Sequence, residues 1–314
     1  MKIAALMDPF QQLHVDIDTT LSFLRAAFDL TWSCHYFTPQ DIVCHGEDVY
    51  ANVQSLTSFQ AVLPETQAIG MHALSEFDII LMRQDPPVDA QYLYATYALE
   101  LAEKKGVLVA NKPQSVRDFN EKMAILHFPE CIPPTLVSAN MAALREFWKT
   151  HQEVIYKPLN TMGGQSVFYV GQESRNLSVI LEILTSSGKT CIMAQRYLPA
   201  IKTEGDKRIL LLEGEAVPYA LLRRPQFGEL RGNMVAGAKG SVVALTERDR
   251  FLCSEVAPML REKSLSFVGL DVIGGFITEI NVTSPSCVTE IQAETGLDIA
   301  RQYLQCLERL KNQA

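Results

Sequence analysis

The chain has 314 residues, more than one globular domain usually contains, so we expect two or three compact units. Its hydrophobic fraction of 47% and charged fraction of 20% are those of an ordinary soluble protein, and no apolar run approaches the ~20 residues that cross a bilayer. The formal net charge of −8 argues against a broad nucleic-acid surface, although it allows a local basic pocket for a small anion. We therefore expect neither nucleic acid nor membrane as a partner.

The N-terminal segment and the cysteines indicate a cytoplasmic protein. The first apolar residues are interrupted by Asp8-Pro9 too soon for a secretory signal, and we predict a buried strand that runs into a turn. The seven cysteines are odd in number and widely spread, and no pair has CxxC spacing. We interpret them as thiols of a reducing cytoplasm, not as a zinc site or a disulfide framework.

The first third of the chain alternates predicted strands and helices, as in a βαβ unit. We predict strands at Lys2–Met7, at the end of Ser75–Met82 and at Val107–Ala110, a helix at Tyr92–Lys105, and a helix through 120–127 that Ser115 and Asp118 cap. This pattern predicts an open α/β sheet over roughly the first 120 residues, with ligands beyond the carboxyl ends of its strands.

The middle third has the pattern of a compact α+β lobe. We predict strands at Glu153–Pro158, Ser166–Val170 and Thr190–Tyr197, a helix at Leu177–Leu184, and a small-residue loop over 160–165.

The last third predicts a second α+β lobe. We predict strands at Arg208–Leu212, Val217–Leu222, Phe267–Ile273 and Phe276–Val282, and a basic loop over 223–240. We also predict a helix from a Thr246/Asp249 cap to about 263, and over 289–310 either one terminal helix or a pair of helices with a break at Gly296.

The hairpin around Gly274-Gly275 carries candidate metal ligands. Asp271, Glu279 and Asn281 would supply the oxygen ligands that hard divalent cations prefer. Glu279 and Asn281 share a strand face, but a strict two-residue turn would place Asp271 on the opposite face. The metal hypothesis therefore requires a bulge or an odd loop. The alternative is a hairpin whose polar side faces water.

Lys157 and the loop that follows it are candidate phosphate ligands. Lys157 is a single cation on an otherwise apolar strand, and a loop of small residues can bring backbone N–H groups against phosphate oxygens. The pattern is neither a Walker loop nor Gly-x-Gly-x-x-Gly. An ordinary hairpin turn is the alternative.

Basic residues cluster between Lys207 and Lys239, with glycines between them. A mobile cationic loop of this kind could close over anionic substrate groups and exclude water, whereas a solvated hairpin edge is the alternative. Earlier in the chain, Arg83 precedes the rigid Pro86-Pro87 pair and could hold a carboxylate; a structural turn is the alternative there.

These motifs, in this order, resemble the ATP-grasp superfamily and, within it, the bacterial glutathione synthetases. The resemblance covers nearly the whole chain. Its most specific segments are Arg83–Val88 with Tyr94–Tyr97, Asn111–Ser115 with Asn120–Lys122, Tyr156–Leu159, Ala194–Gln195 with Tyr197–Lys202, Gly205–Arg208, Arg231–Asn233, and Val268–Asp271 with Thr278–Pro285. Related ligases share the lysines and acidic strands, whereas the Asp-Pro-Pro loop and Asn-Val-Thr-Ser-Pro are closer to glutathione synthetases.

The resemblance implies an ATP-grasp fold of mixed α/β and α+β class. It divides the chain into an N-terminal open α/β substrate-binding domain (1–120), a small central α+β lid lobe (121–200) and a C-terminal α+β lobe with the metal site (201–314). It also implies the reaction. ATP phosphorylates the cysteinyl carboxylate of γ-glutamylcysteine, and the amine of glycine attacks the acyl phosphate. Mg²⁺ is the implied metal, with Mn²⁺ as an alternative, and relatives are commonly homo-oligomers.

The resemblance also implies a role for each matching residue. Arg208 and Arg223 would be catalytic, and Asp271, Glu279 and Asn281 would hold the metal. The ATP-binding residues would be Lys122, Lys157, Met162, Gly163, Gly164, Gln195, Tyr197, Leu198 and Asp206. The substrate-binding residues would be Arg83, Arg231, Asn233, Ser284 and Pro285.

Two positions depart from the family pattern. Asn160-Thr161 replaces the usual Asp-Gly, which could alter loop closure or ATP affinity, and Thr289 stands where a basic residue is expected. Two other functions remain open at this point. One is a different ATP-grasp ligase that joins another acid and amine, and the other is a nucleotide-binding relative without turnover. Intact metal ligands argue against the second.

Overall fold

In the described part of the chain, three β-sheets follow one another. The computed structural model describes residues 1–60, 63–225 and 239–313. Its strands are β1 (Lys2–Leu6), β2 (Ser33–Phe37), β3 (Ile42–His45), β4 (Asp48–Ser58), β5 (Glu65–Ala73), β6 (Ile79–Met82), β7 (Leu108–Ala110), β8 (Thr135–Ser138), β9 (Val154–Pro158), β10 (Phe168–Val170), β11 (Ile192–Arg196), β12 (Asp206–Leu212), β13 (Glu215–Arg224), β14 (Lys239–Ala244), β15 (Phe267–Ile273) and β16 (Phe276–Asn281). Its helices are α1 (Thr19–Asp29), α2 (Ala90–Glu103), α3 (Pro113–Asp118), α4 (Met141–His151), α5 (Leu177–Leu184), α6 (Ala200–Thr203), α7 (Glu247–Glu262), α8 (Val288–Thr295) and α9 (Ile299–Gln313).

The first sheet is an open α/β sheet with a parallel centre. Its main path runs β3-β4-β2-β1-β6-β7, and β5 pairs with β4. The strands β2, β1, β6 and β7 are parallel, whereas β3, β4 and β5 form antiparallel hairpins at one margin. The predicted open sheet is confirmed. The β3–β5 hairpins were not predicted.

The second and third sheets are antiparallel. The second has the order β10-β9-β11-β8, and the third has the order β14-β13-β12-β15-β16. In the third sheet, β12 lies between β13 and β15, so that residues from three neighbouring strands share one face. This arrangement brings residues that are distant in sequence to one surface.

Local signals explain several element ends. Thr246 and Asp249 form the predicted capping box of α7, and Gly296 ends α8 in the left-handed conformation. The predicted helix through 120–127 is wrong. Ser115 lies inside α3, which begins at Pro113, a residue suited to the first helical position, and residues 123–127 form a 3-10 helix.

The C-terminal helix α9 packs against both α1 and the third sheet. The ring of Tyr303 on α9 packs against Phe23 of α1 and Phe267 of β15, with centroid distances of 4.9 and 5.0 Å. All three side chains are buried. Within the described residues, no helix combines the length and apolarity that a membrane span requires.

Candidate active site

Residues of the second and third sheets line one cavity. With its open mouth included, the cavity measures about 1050 Å³, near the upper end of the range typical of ligand sites. It brings together all the predicted ATP-binding, catalytic and metal-binding residues. They are Lys122, Lys157, Met162, Gly163, Gly164, Gln195, Tyr197, Leu198, Asp206, Arg208, Arg223, Asp271, Glu279 and Asn281.

Lys157 points from β9 into the wall of this cavity. Its Nζ donates to Gln195 Oε1 and to the backbone oxygen of Thr278, both at 3.1 Å. Burial lowers the pKa of Lys157 to about 8, although the carboxylate of Glu279 opposes this shift. A buried cation with two acceptors has one N–H left for a ligand.

Lys122 bridges the glycine loop and the third sheet. Its Nζ donates to the backbone oxygen of Thr161 at 2.6 Å and to Glu279 Oε1 at 2.7 Å. The neighbouring Glu121 accepts hydrogen bonds from Val282 N, Thr283 N and Thr283 Oγ1 at 2.8, 3.0 and 2.8 Å. Residues 121–122 therefore hold both the strand of Glu279 and the chain that follows it.

A row of opposite charges crosses the third sheet. Asp206 on β12 lies opposite Arg223 on β13, and Arg208 on β12 lies opposite Asp271 on β15. Arg208 Nε is 2.6 Å from Asp271 Oδ1, and Arg223 Nη2 is 2.8 Å from the same oxygen. Arg223 Nη2 also lies 2.6 Å from Asp206 Oδ2.

The electrostatics of this row leave Asp271 charged. Burial alone would raise the pKa of Asp271, but Arg208 and Arg223 hold it well below its usual range. Burial raises the pKa of Asp206 to about 6 despite the charge of Arg223. Asp206 Oδ1 and Arg223 Nε are buried without a hydrogen-bond partner in the described part of the chain. Such atoms are expected where a polar ligand completes the site.

Arg223 was predicted in the basic loop, but it lies on β13. The strand continues through Arg224 because it pairs with β12 on one side and β14 on the other. The predicted loop residues Arg231 and Asn233 lie outside the described residues.

The hairpin β15–β16 contains the bulge that the metal hypothesis requires. Asp271 lies opposite Glu279, and Val272 lies opposite Ile277, so Thr278 is the extra residue. Gly274 and Gly275 form the turn with φ values of 55° and 77°. The irregularity on which the metal hypothesis depends is therefore present, and Asp271 and Glu279 come from paired positions.

The donor set fits a hard divalent cation. Asp271 and Glu279 supply carboxylate oxygens. Asn281 Nδ2 donates to Gly269 O at 3.2 Å, which leaves Asn281 Oδ1 as a further oxygen donor. Within the described ranges, no group of three or more His, Cys, Asp or Glu side chains is arranged to hold a metal. The fit therefore depends on the Asn281 amide and on oxygens that a phosphate ligand would bring.

The glycine loop joins β9 to β10 at the cavity. Gly163 and Gly164 have φ values of 64° and 72°, a region that other residues rarely adopt. Thr161 Oγ1 donates to Gln165 O at 3.2 Å within the loop. The departure at Asn160-Thr161 is thus accommodated while the two glycines remain at the cavity wall.

The predicted substrate residues Arg83, Ser284 and Pro285 lie together, outside the cavity lining. Arg83 follows β6 and is buried, with Nη2 donating to Pro285 O at 2.8 Å and Nε donating to Thr20 Oγ1 at 3.1 Å. Ser284 Oγ donates to Asp85. Arg83 thus anchors the loop after β16 to the first sheet.

Thr289, which stands where a basic residue was expected, contacts Ser22. Thr289 Oγ1 lies 2.8 Å from Ser22 Oγ, so the position joins α8 to α1 through two hydroxyl groups.

Part of the apolar wall of the cavity was not predicted. Ile155, Val167, Ile201 and Ile273 line it. Ile155 and Lys157 are two residues apart on β9 and share a face, so the two-residue period could have identified Ile155. The other three come from separate elements, and nothing local in the sequence indicates that they converge.

Two family models match the chain. The model described as the prokaryotic glutathione synthetase N-terminal domain matches residues 1–117, and the ATP-grasp domain of prokaryotic glutathione synthetase matches residues 121–296.

Several curated relatives match almost end to end. The glutathione synthetase of Pseudomonas putida is 48% identical and covers 98% of each chain. The glutathione synthetase of Escherichia coli K12 is 44% identical and covers 100% of each chain, and that of Coxiella burnetii is 45% identical over 98% of this chain and 96% of its own.

Solved structures share the fold at low identity. D-cycloserine synthetase DcsG superposes with a TM-score of 0.71 at 15% identity, over 98% of this chain and 99% of its own. The ATP-grasp ligase PsnB, complexed with a minimal precursor, Mg and ADP, has a TM-score of 0.63 at 15% identity, over 98% and 97% of the two chains.

Proposed function

The chain belongs to the prokaryotic glutathione synthetase family, and on that premise we propose that it joins γ-glutamylcysteine to glycine at the expense of ATP. It is an ATP-dependent ligase of ATP-grasp fold. In the proposed reaction the γ-phosphoryl group passes to the cysteinyl carboxylate. The glycine amine then attacks the acyl phosphate carbonyl, a C–N bond forms, and ADP and phosphate leave.

The row of charges in the cavity carries this proposal. Lys122 and Lys157 lie on one side, and Arg208 and Arg223 lie on the third sheet. Phosphoryl transfer depends on positioning and charge neutralisation, so it needs cations and not a nucleophilic side chain. Arg208 and Arg223 are the residues we assign to neutralise the carboxylate and the transferring group.

We assign the base and the phosphates of ATP to the small lobe. The remaining N–H of Lys157 and the oxygen of Gln195 offer one donor and one acceptor side by side. Adenine presents an acceptor at N7 and a donor at its 6-amino group, which matches this pair. Lys122 and the loop at Met162, Gly163 and Gly164 would hold phosphate oxygens. Tyr197 and Leu198 would line the base, and Asp206 Oδ1 would accept from a ribose hydroxyl.

A divalent cation accompanies ATP in this family, and we propose Mg²⁺, with Mn²⁺ as an alternative. Asp271, Glu279 and Asn281 would hold it, and when bound it would neutralise phosphate charge. Before it binds, Arg208 and Arg223 compensate Asp271, and Lys122 compensates Glu279. These cations offset the negative charge of the hairpin.

We assign the peptide substrate to the loop between the first and third sheets. Arg83, Ser284 and Pro285 converge there, and Arg231 and Asn233 are assigned to the same substrates from the family resemblance. We also propose the division into 1–120, 121–200 and 201–314, which the three successive sheets support. We propose a homo-oligomer from the resemblance, and a cytoplasmic location from the resemblance and from the scattered cysteines.

The test is ADP release with ATP, Mg²⁺ and γ-glutamylcysteine, with and without glycine, together with detection of glutathione. We expect glycine-dependent ADP release and one glutathione for each ADP. ADP release that glycine does not raise above the control would contradict this substrate pair. Screening other amino acids as acceptors would then test a different carboxylate–amine ligase.

A further inference from the structure

Thr135 accepts a hydrogen bond from Gln195, a residue that lines the cavity. It lies on the edge strand β8, directly opposite Gln195 of β11. Gln195 Nε2 donates to Thr135 Oγ1 at 3.2 Å, and the Thr135 hydroxyl donates to Pro133 O at 2.7 Å. A threonine hydroxyl has one hydrogen to donate, and here Pro133 takes it. Thr135 can therefore only accept from Gln195.

The other end of the Gln195 amide is fixed independently. Lys157 Nζ lies 3.1 Å from Gln195 Oε1, and an ammonium group only donates. Gln195 is 4% exposed, so bulk water cannot substitute for either partner. Thr135 and Lys157 thus select the same orientation of the amide, with the oxygen beside Lys157.

We propose that Thr135 is a positioning residue that sets which end of the Gln195 amide meets the purine base, and so contributes to the selection of a 6-amino over a 6-oxo purine. The inference rests on the proposed function in one respect, that a purine nucleotide occupies this cavity. Thr135 itself is not among the residues that line the cavity.

The chemistry of the two bases explains the selection. The 6-amino group of adenine donates to the oxygen of Gln195. A 6-oxo purine presents an acceptor at this position, so two oxygens would face each other. If the amide rotated by 180°, its NH₂ group would suit the 6-oxo base but would also face the donor Lys157. Removing the acceptor at Thr135 takes away one of the two restraints against this rotation.

The experiment compares the dissociation constants of ATP and inosine triphosphate, which share N7 and differ at position 6 and in the hydrogen on N1. Binding is measured by calorimetry with Mg²⁺ and without the peptide substrate. We expect the parent protein to prefer ATP by about 100-fold and Thr135→Val to reduce this preference by about tenfold, because a buried amide N–H loses its acceptor. Thr135→Ser retains the hydroxyl and should keep the parent preference within about twofold.

Ser138→Ala is the matched control on the same strand. The Ser138 hydroxyl accepts from Asn140 N at 2.9 Å, away from Gln195, so its loss should leave the ratio unchanged. A parent protein that does not discriminate, or a Thr135→Val variant with the parent ratio, would overturn the inference. Thr135→Ala serves the same purpose if Thr135→Val does not fold.

A Gln195→Glu background sharpens the test. A carboxylate presents an acceptor at both ends, so its orientation no longer matters. Adding Thr135→Val to Gln195→Glu should therefore not reduce the preference for ATP over inosine triphosphate any further. If Thr135→Val reduced this preference tenfold both in the parent and in Gln195→Glu, the positioning role would be contradicted. A parent protein that binds ATP selectively but forms no glutathione would instead count against the proposed function.

Discussion

Asp271 of β15 and Glu279 of β16 occupy directly opposed positions across an antiparallel pair, although the two-glycine turn between them would otherwise place them on opposite faces. The bulge at Thr278 makes the difference. Each carboxylate is compensated by cations from another element, Asp271 by Arg208 and Arg223 and Glu279 by Lys122. The hairpin therefore offers two acidic ligands that the surrounding charges stabilise.

Glu279→Gln should abolish most turnover with little loss of stability. The amide keeps the shape but removes the charge that a cation needs, and we expect ADP release to fall by at least about 100-fold. Lys122 retains its bond to Thr161 O, so the melting temperature should stay within a few degrees. Glu182→Gln, on the exposed surface of α5, is the control and should behave as the parent. Retained activity in Glu279→Gln would count against the metal site.

Asp271→Asn should be costly for folding as well as for catalysis. It leaves Arg208 and Arg223 buried beside a neutral amide, and removing one partner of a buried ion pair costs about 3 kcal/mol. Urea unfolding measures this loss. Glu146→Gln breaks the exposed pair with Lys149 and should change stability by less than about 0.5 kcal/mol. A loss below about 1 kcal/mol in Asp271→Asn would show that the row is not needed for folding.

Glu103→Gln should stabilise the protein at alkaline pH. Burial raises the pKa of Glu103 from 4.5 to about 7. The folded state therefore binds this proton more tightly, and the associated stability is present below pH 4.5 and is lost as the pH rises through 7. At pH 8 the free energy of unfolding of the glutamine variant should exceed that of the parent by about 1 kcal/mol, a value that allows for partial solvent screening.

Urea titrations at pH 5 and pH 8 check the Glu103 prediction. The increase in the free energy of unfolding should be clearly smaller at pH 5, where the Glu103 side chain of the parent is largely protonated. An equal difference at both values would mean that the side-chain amide, and not the proton, changes stability.

Glu121→Ala should impair the peptide substrate more than ATP. It removes the acceptor of three hydrogen bonds that fix Val282 and Thr283, just before the loop of Ser284 and Pro285. We expect the KM for γ-glutamylcysteine to rise about tenfold, since buried donors lose their partner. Glu121→Gln keeps one side-chain oxygen and should fall between the parent and the alanine variant. A rise in KM for ATP alone would contradict this role.

The residues that the sequence grouped as ATP-binding, catalytic and metal-binding all line one cavity, whereas several strands of the first sheet were not predicted. Lys157, the glycine loop and the acidic hairpin are local motifs, and their order along the chain carried the family resemblance. The register of Asp271 against Glu279 was left open because a bulge is decided by tertiary pairing and not by the turn residues alone. Arg223 was placed in a loop because its strand partners, Asp206 and Gly240, are distant in sequence.

Other elements lacked a local signal. The β4–β5 hairpin is largely exposed on β5 and has no strong turn motif, so the hydrophobic pattern did not reveal it. The Thr135 contact arises because β8 pairs with β11, although two helices and two strands lie between them in the chain, and no spacing in the sequence indicates this pairing.

The balance of charge around the cavity has a kinetic consequence. Among the residues that the structure describes, five cationic and three anionic side chains line it, whereas the whole chain has a formal net charge of −8. The negative net charge therefore repels an approaching nucleoside triphosphate, whereas the cations of the cavity attract it. This difference favours encounters at the mouth of the cavity. Added salt screens both effects over about 10 Å at 0.1 M, so the association rate of the nucleotide should depend on ionic strength more than its dissociation rate does.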